Sequence, residues 1–146
     1  MSKREFISQS ESDTRNLGRT LGENIESGIC VLLSGDLGAG KTVLVRGVGE
    51  ALGIFGVRSP SFTLINEYDS DSLLIVHADL YRLDDASSLG LEEYEDSVLF
   101  VEWPDRWRNP PVNNVLRVSI SAISESERKI VIHAEGEKAE RVLAKL

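Results

Sequence analysis

The chain has 146 residues, 41% hydrophobic and 27% charged, with 24 acidic against 16 basic side chains and a formal charge of -8. That length supports one well-formed core and excludes two ordinary domains, so residues 1–146 are expected to form a single domain without room for a separate lid. The acidic balance argues against a broad basic surface for gripping nucleic acid and leaves any RNA contact to a local patch or a partner.

No run approaches the ~20 apolar residues of a membrane span, and the opening MSKREFISQS lacks the apolar centre of a signal peptide. Cys30 is the only cysteine and sits within an apolar run, so it reads as a small buried hydrophobe in a reducing compartment. These features predict a cytoplasmic protein that makes no use of a membrane.

In chain order, Glu5 to Ser8 predict a short edge strand. Ser10 and Asp13 then supply N-cap chemistry as a variant of the capping box. Leu17, Leu21 and Ile25 place one apolar stripe on the helix that follows, and Ser27 and Gly28 end it. Ile29 to Leu33 read as a buried strand.

The strand runs into GDLGAGKT, Gly35 to Thr42, which fits the P-loop spacing of glycine, four residues, glycine, lysine and a hydroxyl residue. Gly35, Gly38 and Gly40 tolerate positive φ, so consecutive backbone amides can turn inward around a phosphate. Lys41 is expected to reach the β- and γ-phosphates, and the Thr42 hydroxyl to join a Mg²⁺ shell. Leu44, Val48 and Leu52 recur every four residues along a helix whose N-terminus faces the same anion. Gly47 and Gly49 within that helix each cost about 1 kcal/mol relative to alanine, which predicts close backbone packing there.

Next, Ser59, Ser61 and Thr63 flank Pro60 in a hydroxyl-rich loop. This is either an ordinary polar turn or a switch segment that senses a γ-phosphate or its metal. Phe62 to Tyr68 and Leu73 to Ala78 read as a β-hairpin around Asp69, Ser70, Asp71 and Ser72. His77 is expected to be a packed or hydrogen-bonded histidine rather than a metal ligand. A helix is predicted from about Asp84 to Asp96, with Leu89 and Leu91 facing inward.

Val98 to Val101 form another buried run, ending in Glu102, Trp103 and Pro104. Three apolar strands thus end at Gly35, Asp79 and Glu102, and in an open α/β sheet the carboxyl ends of parallel strands converge on one crevice. One acid there can bind the metal and another can position or activate a water. Asp79 is assigned to the metal, and Glu102 to the metal shell or the water. Trp103 and Trp107 are candidates for a partner surface or for the core.

Beyond Asn109, Pro110 and Pro111, two further strands are expected at Val115 to Ser121 and Lys129 to Ala134, with a turn at Ser124 to Glu127. A terminal helix, Glu137 to Leu146, presents Val142, Leu143 and Leu146. This third carries no chemistry unless Arg128, Lys129 or His133 touches the nucleotide.

The blocks GDLGAGKT, SPSFTLINEY, HADLYRL and VEWPDR, in this order, resemble the TsaE (YjeE) family of small bacterial ATPases of threonylcarbamoyladenosine biosynthesis on tRNA. They span Gly35 to Arg106, about half of the chain. The resemblance implies an α/β, P-loop NTPase-like three-layer sandwich whose mixed sheet has a parallel core and added antiparallel strands. It implies ATP with Mg²⁺, partnership with the TsaB and TsaD proteins, and access to tRNA only through that complex. TsaD performs the transfer to adenosine, and ATP hydrolysis by the TsaE-like subunit resets or sustains the assembly.

By position, the resemblance carries nucleotide contacts to Glu11, Gly35, Asp36, Leu37, Gly38, Ala39, Gly40, Lys41, Thr42, Val43 and Ser59. It carries the metal to Thr42, Asp79 and Glu102, and catalysis to Lys41, Glu102 and Thr63. Ser61 departs from the family's frequent threonine but keeps the hydroxyl. Hydrolysis by the chain alone is expected to be slow, because the sequence identifies no arginine finger and leaves one to a partner; Arg82 is the nearest in-chain candidate and reads equally as structural. The alternatives are a small-molecule kinase on the same P-loop and a nucleotide-gated protein-binding module.

Overall fold

The computed structural model describes residues 2–71, 73–86, 89–107 and 113–146. Among these, seven strands form one mixed sheet. In chain order the elements are β1 (Ser2–Ser8), α1 (Glu11–Asn24), β2 (Ile29–Ser34), α2 (Lys41–Ala51), β3 (Ile65–Asp69) and β4 (Leu74–Asp79). There follow β5 (Val98–Glu102), β6 (Asn114–Ala122), β7 (Arg128–Glu135) and α3 (Glu137–Leu143). Across the sheet the order is β1-β7-β6-β2-β5-β4-β3.

β2 runs parallel to both β5 and β6, and β4 parallel to β5, so the centre is a parallel core. The pairs β1/β7, β6/β7 and β3/β4 are antiparallel additions at the two sides. This is the α/β mixed sheet that the motifs imply. Insertion of β5 between β2 and β4 brings Glu102 level with Leu33 on one side and with Asp79 on the other.

Strands covered on both faces read as continuous apolar runs, and both faces here are buried. On one face Val31, Leu33, Phe100, Val118 and Ile132 pack against the helices through Leu21, Leu44, Val48 and Val142. On the other, Cys30, Leu32, Val76, Leu99 and Val101 are covered by Leu80, Ala86, Leu91 and Trp107.

Of the expected stripes, Leu21, Leu44 and Val48 are at most 1% exposed and Ile25 is buried, while Leu17 and Leu52 are partly buried at the edge of the core. Ser10 caps α1 by accepting from the Asp13 amide at 3.1 Å, while Asp13 Oδ2 accepts from the Gln9 amide at 2.9 Å, a reciprocal cap. The crossing of α1 and α2 is backbone on backbone. A Cβ added at Gly47 would lie 2.1 Å from the Arg15 carbonyl oxygen, and one at Gly18 would lie 2.2 Å from that of Leu44. The glycines that weaken the helices by propensity therefore let them touch.

Three expectations are corrected. The α-helix expected from Asp84 to Asp96 is absent among the described residues: Leu89 and the turn Leu91–Tyr94 are 3₁₀, and Ser87 and Ser88 lie outside the description. Gly90 adopts φ 71°, a left-handed conformation that interrupts an α-helix. The hairpin's first strand begins at Ile65 rather than Phe62, because residues 61–63 are a turn and Leu64 has φ 70°. The terminal helix stops at Leu143, though Leu146 still packs on the core. The Asn109, Pro110, Pro111 punctuation and Ser72 of the hairpin loop lie outside the described residues.

Candidate functional site

The P-loop leaves β2 at Ser34 and enters α2 through Gly40, whose φ of 117° puts it in the left-handed region that a side chain resists. Gly38, at φ 81°, makes the same demand. Gly40 offers α2 no side-chain cap, so the first amides of the helix remain available to an anion.

Lys41 is 5% exposed. Its Nζ donates to the Gly35 carbonyl at 2.5 Å and lies 4.2 Å from the centre of the Trp103 ring. Burial pulls its pKa below the ordinary lysine value, and the carboxylates of Glu102, Asp79 and Asp36 oppose that shift. A buried cation held by a carbonyl, a π-face and nearby acids is poised to exchange the carbonyl for phosphate oxygens.

The two strand-end acids are themselves buried, Asp79 at 5% and Glu102 at 4% exposure. Asp79 Oδ1 accepts from the Tyr81 amide at 2.9 Å, and Oδ2 from the Ser61 hydroxyl at 3.1 Å. Glu102 Oε2 lies 2.5 Å from His77 Nε2. Trp103, directly after Glu102, turns with φ 59°, which lays its ring over Lys41 and against Tyr81 at 4.8 Å between centroids.

A cleft of about 220 Å³ joins these groups, lined by Leu37, Gly38, Gly40, Lys41, Thr42 and Val43 of the P-loop side. Ser59, Ser61, Asp79 and Glu102 close it opposite. A second hollow of about 400 Å³ lies beyond the loop, where Glu11, Gly38, Ala39, Gly40 and Val43 meet the β6–β7 turn. A third, of about 460 Å³, takes in Gly35, Asp36, Leu37 and Ala39. Arg128 lines both larger hollows and donates through Nε to the Ala39 carbonyl at 3.1 Å, which ties the β6–β7 turn to the P-loop.

The fold thus gathers Lys41, Thr42, Ser59, Asp79 and Glu102 into one cleft and Glu11 beside its neighbour. Thr63 stands apart: it lines none of the three hollows, and its hydroxyl is 2.7 Å from Asn66 Oδ1. Ser61 occupies the place at Asp79 instead. Arg82 donates to the Ser61 carbonyl at 3.1 Å and sits over the Phe62 ring at 5.7 Å, away from the cleft lining.

Sequence reasoning did not foresee His77 beside Glu102 or Trp103 over Lys41. For His77 a signal exists, because residues two apart on a strand share a face and His77 precedes Asp79 by two. For Trp103 there is none, since its position depends on a left-handed backbone.

Among the described residues no group of three or more His, Cys, Asp and Glu side chains could hold a metal by itself. A donor set of two carboxylates and one hydroxyl nevertheless fits Mg²⁺, which keeps waters and takes its remaining oxygens from substrate phosphates.

A buried strand, a glycine loop entering a helix, and acids at the ends of neighbouring parallel strands define a P-loop nucleotide-binding protein. The family model described as "Threonylcarbamoyl adenosine biosynthesis protein TsaE" matches residues 8–130, and the chain belongs to the TsaE family. A relative from Nostoc, named tRNA threonylcarbamoyladenosine biosynthesis protein TsaE, is 40% identical over 136 residues, spanning 87% of this chain and 83% of the relative. One of the same name from Aquifex aeolicus is 36% identical over 133 residues, or 89% and 96% of the two chains. The crystal structure of Bacillus subtilis YdiB superposes with a TM-score of 0.82 at 29% identity, covering 98% of this chain and 93% of that one. Among the described residues no helix is long and apolar enough to cross a membrane.

Proposed function

We propose that this protein is the ATP-binding and ATP-hydrolysing subunit of the cytoplasmic machinery that makes threonylcarbamoyladenosine on tRNA, acting with TsaB and TsaD rather than performing the transfer itself. The observation that carries the reading is the cleft in which Lys41, Thr42, Asp79 and Glu102 converge, in a chain of the TsaE family.

In this reading the P-loop amides cradle the phosphates, and Lys41 leaves the Gly35 carbonyl to meet the β- and γ-phosphate oxygens. The Thr42 hydroxyl and Asp79 would hold Mg²⁺, which would neutralise charge on the phosphate oxygens when bound. Glu102 orients the attacking water and accepts its proton. The hollow at Glu11 receives the base. No arginine lines the catalytic cleft among the described residues, which supports slow turnover by the subunit alone and a stimulating group supplied by a partner.

The test is ATP hydrolysis by the protein alone and with TsaB and TsaD of the same organism, with Asp79→Ala as control. Stimulation that disappears in Asp79→Ala supports the reading. Tight ATP binding without stimulated turnover overturns the hydrolytic part and leaves a nucleotide-gated binding module. Phosphorylation of a small-molecule acceptor would replace both with a kinase.

A further inference from the structure

His77 is 0% exposed, and its Nε2 lies 2.5 Å from Glu102 Oε2 across the parallel pair β4/β5. Its other ring nitrogen, Nδ1, is buried and has no hydrogen-bond partner among the described residues. An ionised carboxylate only accepts hydrogen bonds, and a proton on Nδ1 would find no acceptor, so the shared proton belongs on Nε2. With the proton on Nε2, the atom left unpaired at Nδ1 is an acceptor rather than a donor.

Among the described residues His77 supplies the side-chain hydrogen bond of the Glu102 carboxylate. We propose that His77 is a positioning residue: its Nε2–H holds Glu102 Oε2 against the sheet and keeps Oε1 turned to the cleft shared with Lys41, Thr42 and Asp79. The histidine does not touch the nucleotide. It acts through the acid, as outer partners of metal and catalytic ligands do.

The proposal rests on the hydrolytic reading of the same cleft, so its test has one arm that needs no turnover. The chain contains two histidines, so ¹⁵N spectra of the histidine-labelled protein, with His133→Gln for assignment, report the His77 tautomer directly. The expected result is a ring protonated at Nε2 whose signals move in Glu102→Ala. An Nδ1-protonated ring, or His77 signals indifferent to Glu102→Ala, overturns the proposal.

The second arm compares His77→Phe, which keeps the volume and removes the donor, with His77→Gln, whose amide can donate to the same oxygen. His77→Phe is expected to lower kcat of the TsaB–TsaD-stimulated reaction about 10–100-fold, with the Kd of a non-hydrolysable ATP analogue unchanged within about twofold. His77→Gln is expected to recover kcat to within about fivefold of the native protein. Equal losses in both variants, or a fall in analogue affinity parallel to kcat, would assign His77 a purely structural role. If the native protein does not hydrolyse ATP at all, the hydrolytic reading fails by itself, and the spectra alone decide whether His77 anchors Glu102.

Discussion

Gly47→Ala sets two physical effects of opposite sign against each other. By helix propensity alone, alanine in the middle of α2 stabilises by about 1 kcal/mol. By packing, the new Cβ would lie 2.1 Å from the Arg15 carbonyl oxygen and 3.0 Å from the Arg19 nitrogen, both backbone atoms of α1. The first contact is roughly 1 Å inside ordinary van der Waals separation, and a helix backbone cannot yield as a flexible side chain can. The two helices must part. A gap of ~0.5–1 Å forfeits a quarter to a half of the dispersion energy across it, here along Leu21, Leu44 and Val48. Overpacking of this kind costs about 1–3 kcal/mol, the lost dispersion adds roughly 2 kcal/mol, and the propensity gain removes about 1, so the net effect is a destabilisation of about 2–4 kcal/mol. In urea the midpoint should fall by about 1–2 M at constant slope, and the melting temperature by about 5–15 °C. Because α2 begins with Lys41 and Thr42, nucleotide affinity should fall as well. A midpoint that is unchanged, or raised by the propensity term, would refute the claim that the α1–α2 contact is backbone on backbone.

Lys41→Ala should abolish the ligand-dependent rise in melting temperature while leaving the chain folded. In the native protein, ATP at about 100 times its Kd should stabilise by about 2.7 kcal/mol, or about 5–10 °C. A variant that keeps that shift would remove Lys41 from the phosphate site. Cys30 offers a pH test: burial pushes its thiol from 9.0 up to about 12, with Arg117 opposing. As pH rises above 9.0 the unfolded chain loses this proton while the native protein keeps it, so the native state binds more protons and stability falls by about 1.4 kcal/mol per unit until about pH 12. Urea titrations of Cys30→Ala over the same range should lack that fall, and parallel profiles for the two proteins would show that the thiol is not desolvated.

What the sequence determined by itself is what short stretches of chain dictate. The P-loop is legible because positive φ at Gly38 and Gly40 and the spacing to Lys41 and Thr42 are local demands, and no distant residue is needed to state them. The apolar runs at Ile29 to Leu33 and Val98 to Val101 marked buried strands for the same reason, and the acids that end them marked one edge of the sheet. The segment from Asp84 to Asp96 misled because Leu89 and Leu91 cover the opposite face of the sheet on either side of Gly90, whose left-handed φ interrupts a weak helical period.

Tertiary structure alone decided which side chains meet. His77 reaches Glu102, 25 residues away, only because β5 enters the sheet beside β4. Ser61, not Thr63, reaches Asp79 because Leu64 turns left-handed between the loop and β3, and Trp103 covers Lys41 because it does the same after β5. Such contacts depend on strand order and on rare backbone angles at non-glycine residues, and neither leaves a mark in the period or spacing of the residues along the chain.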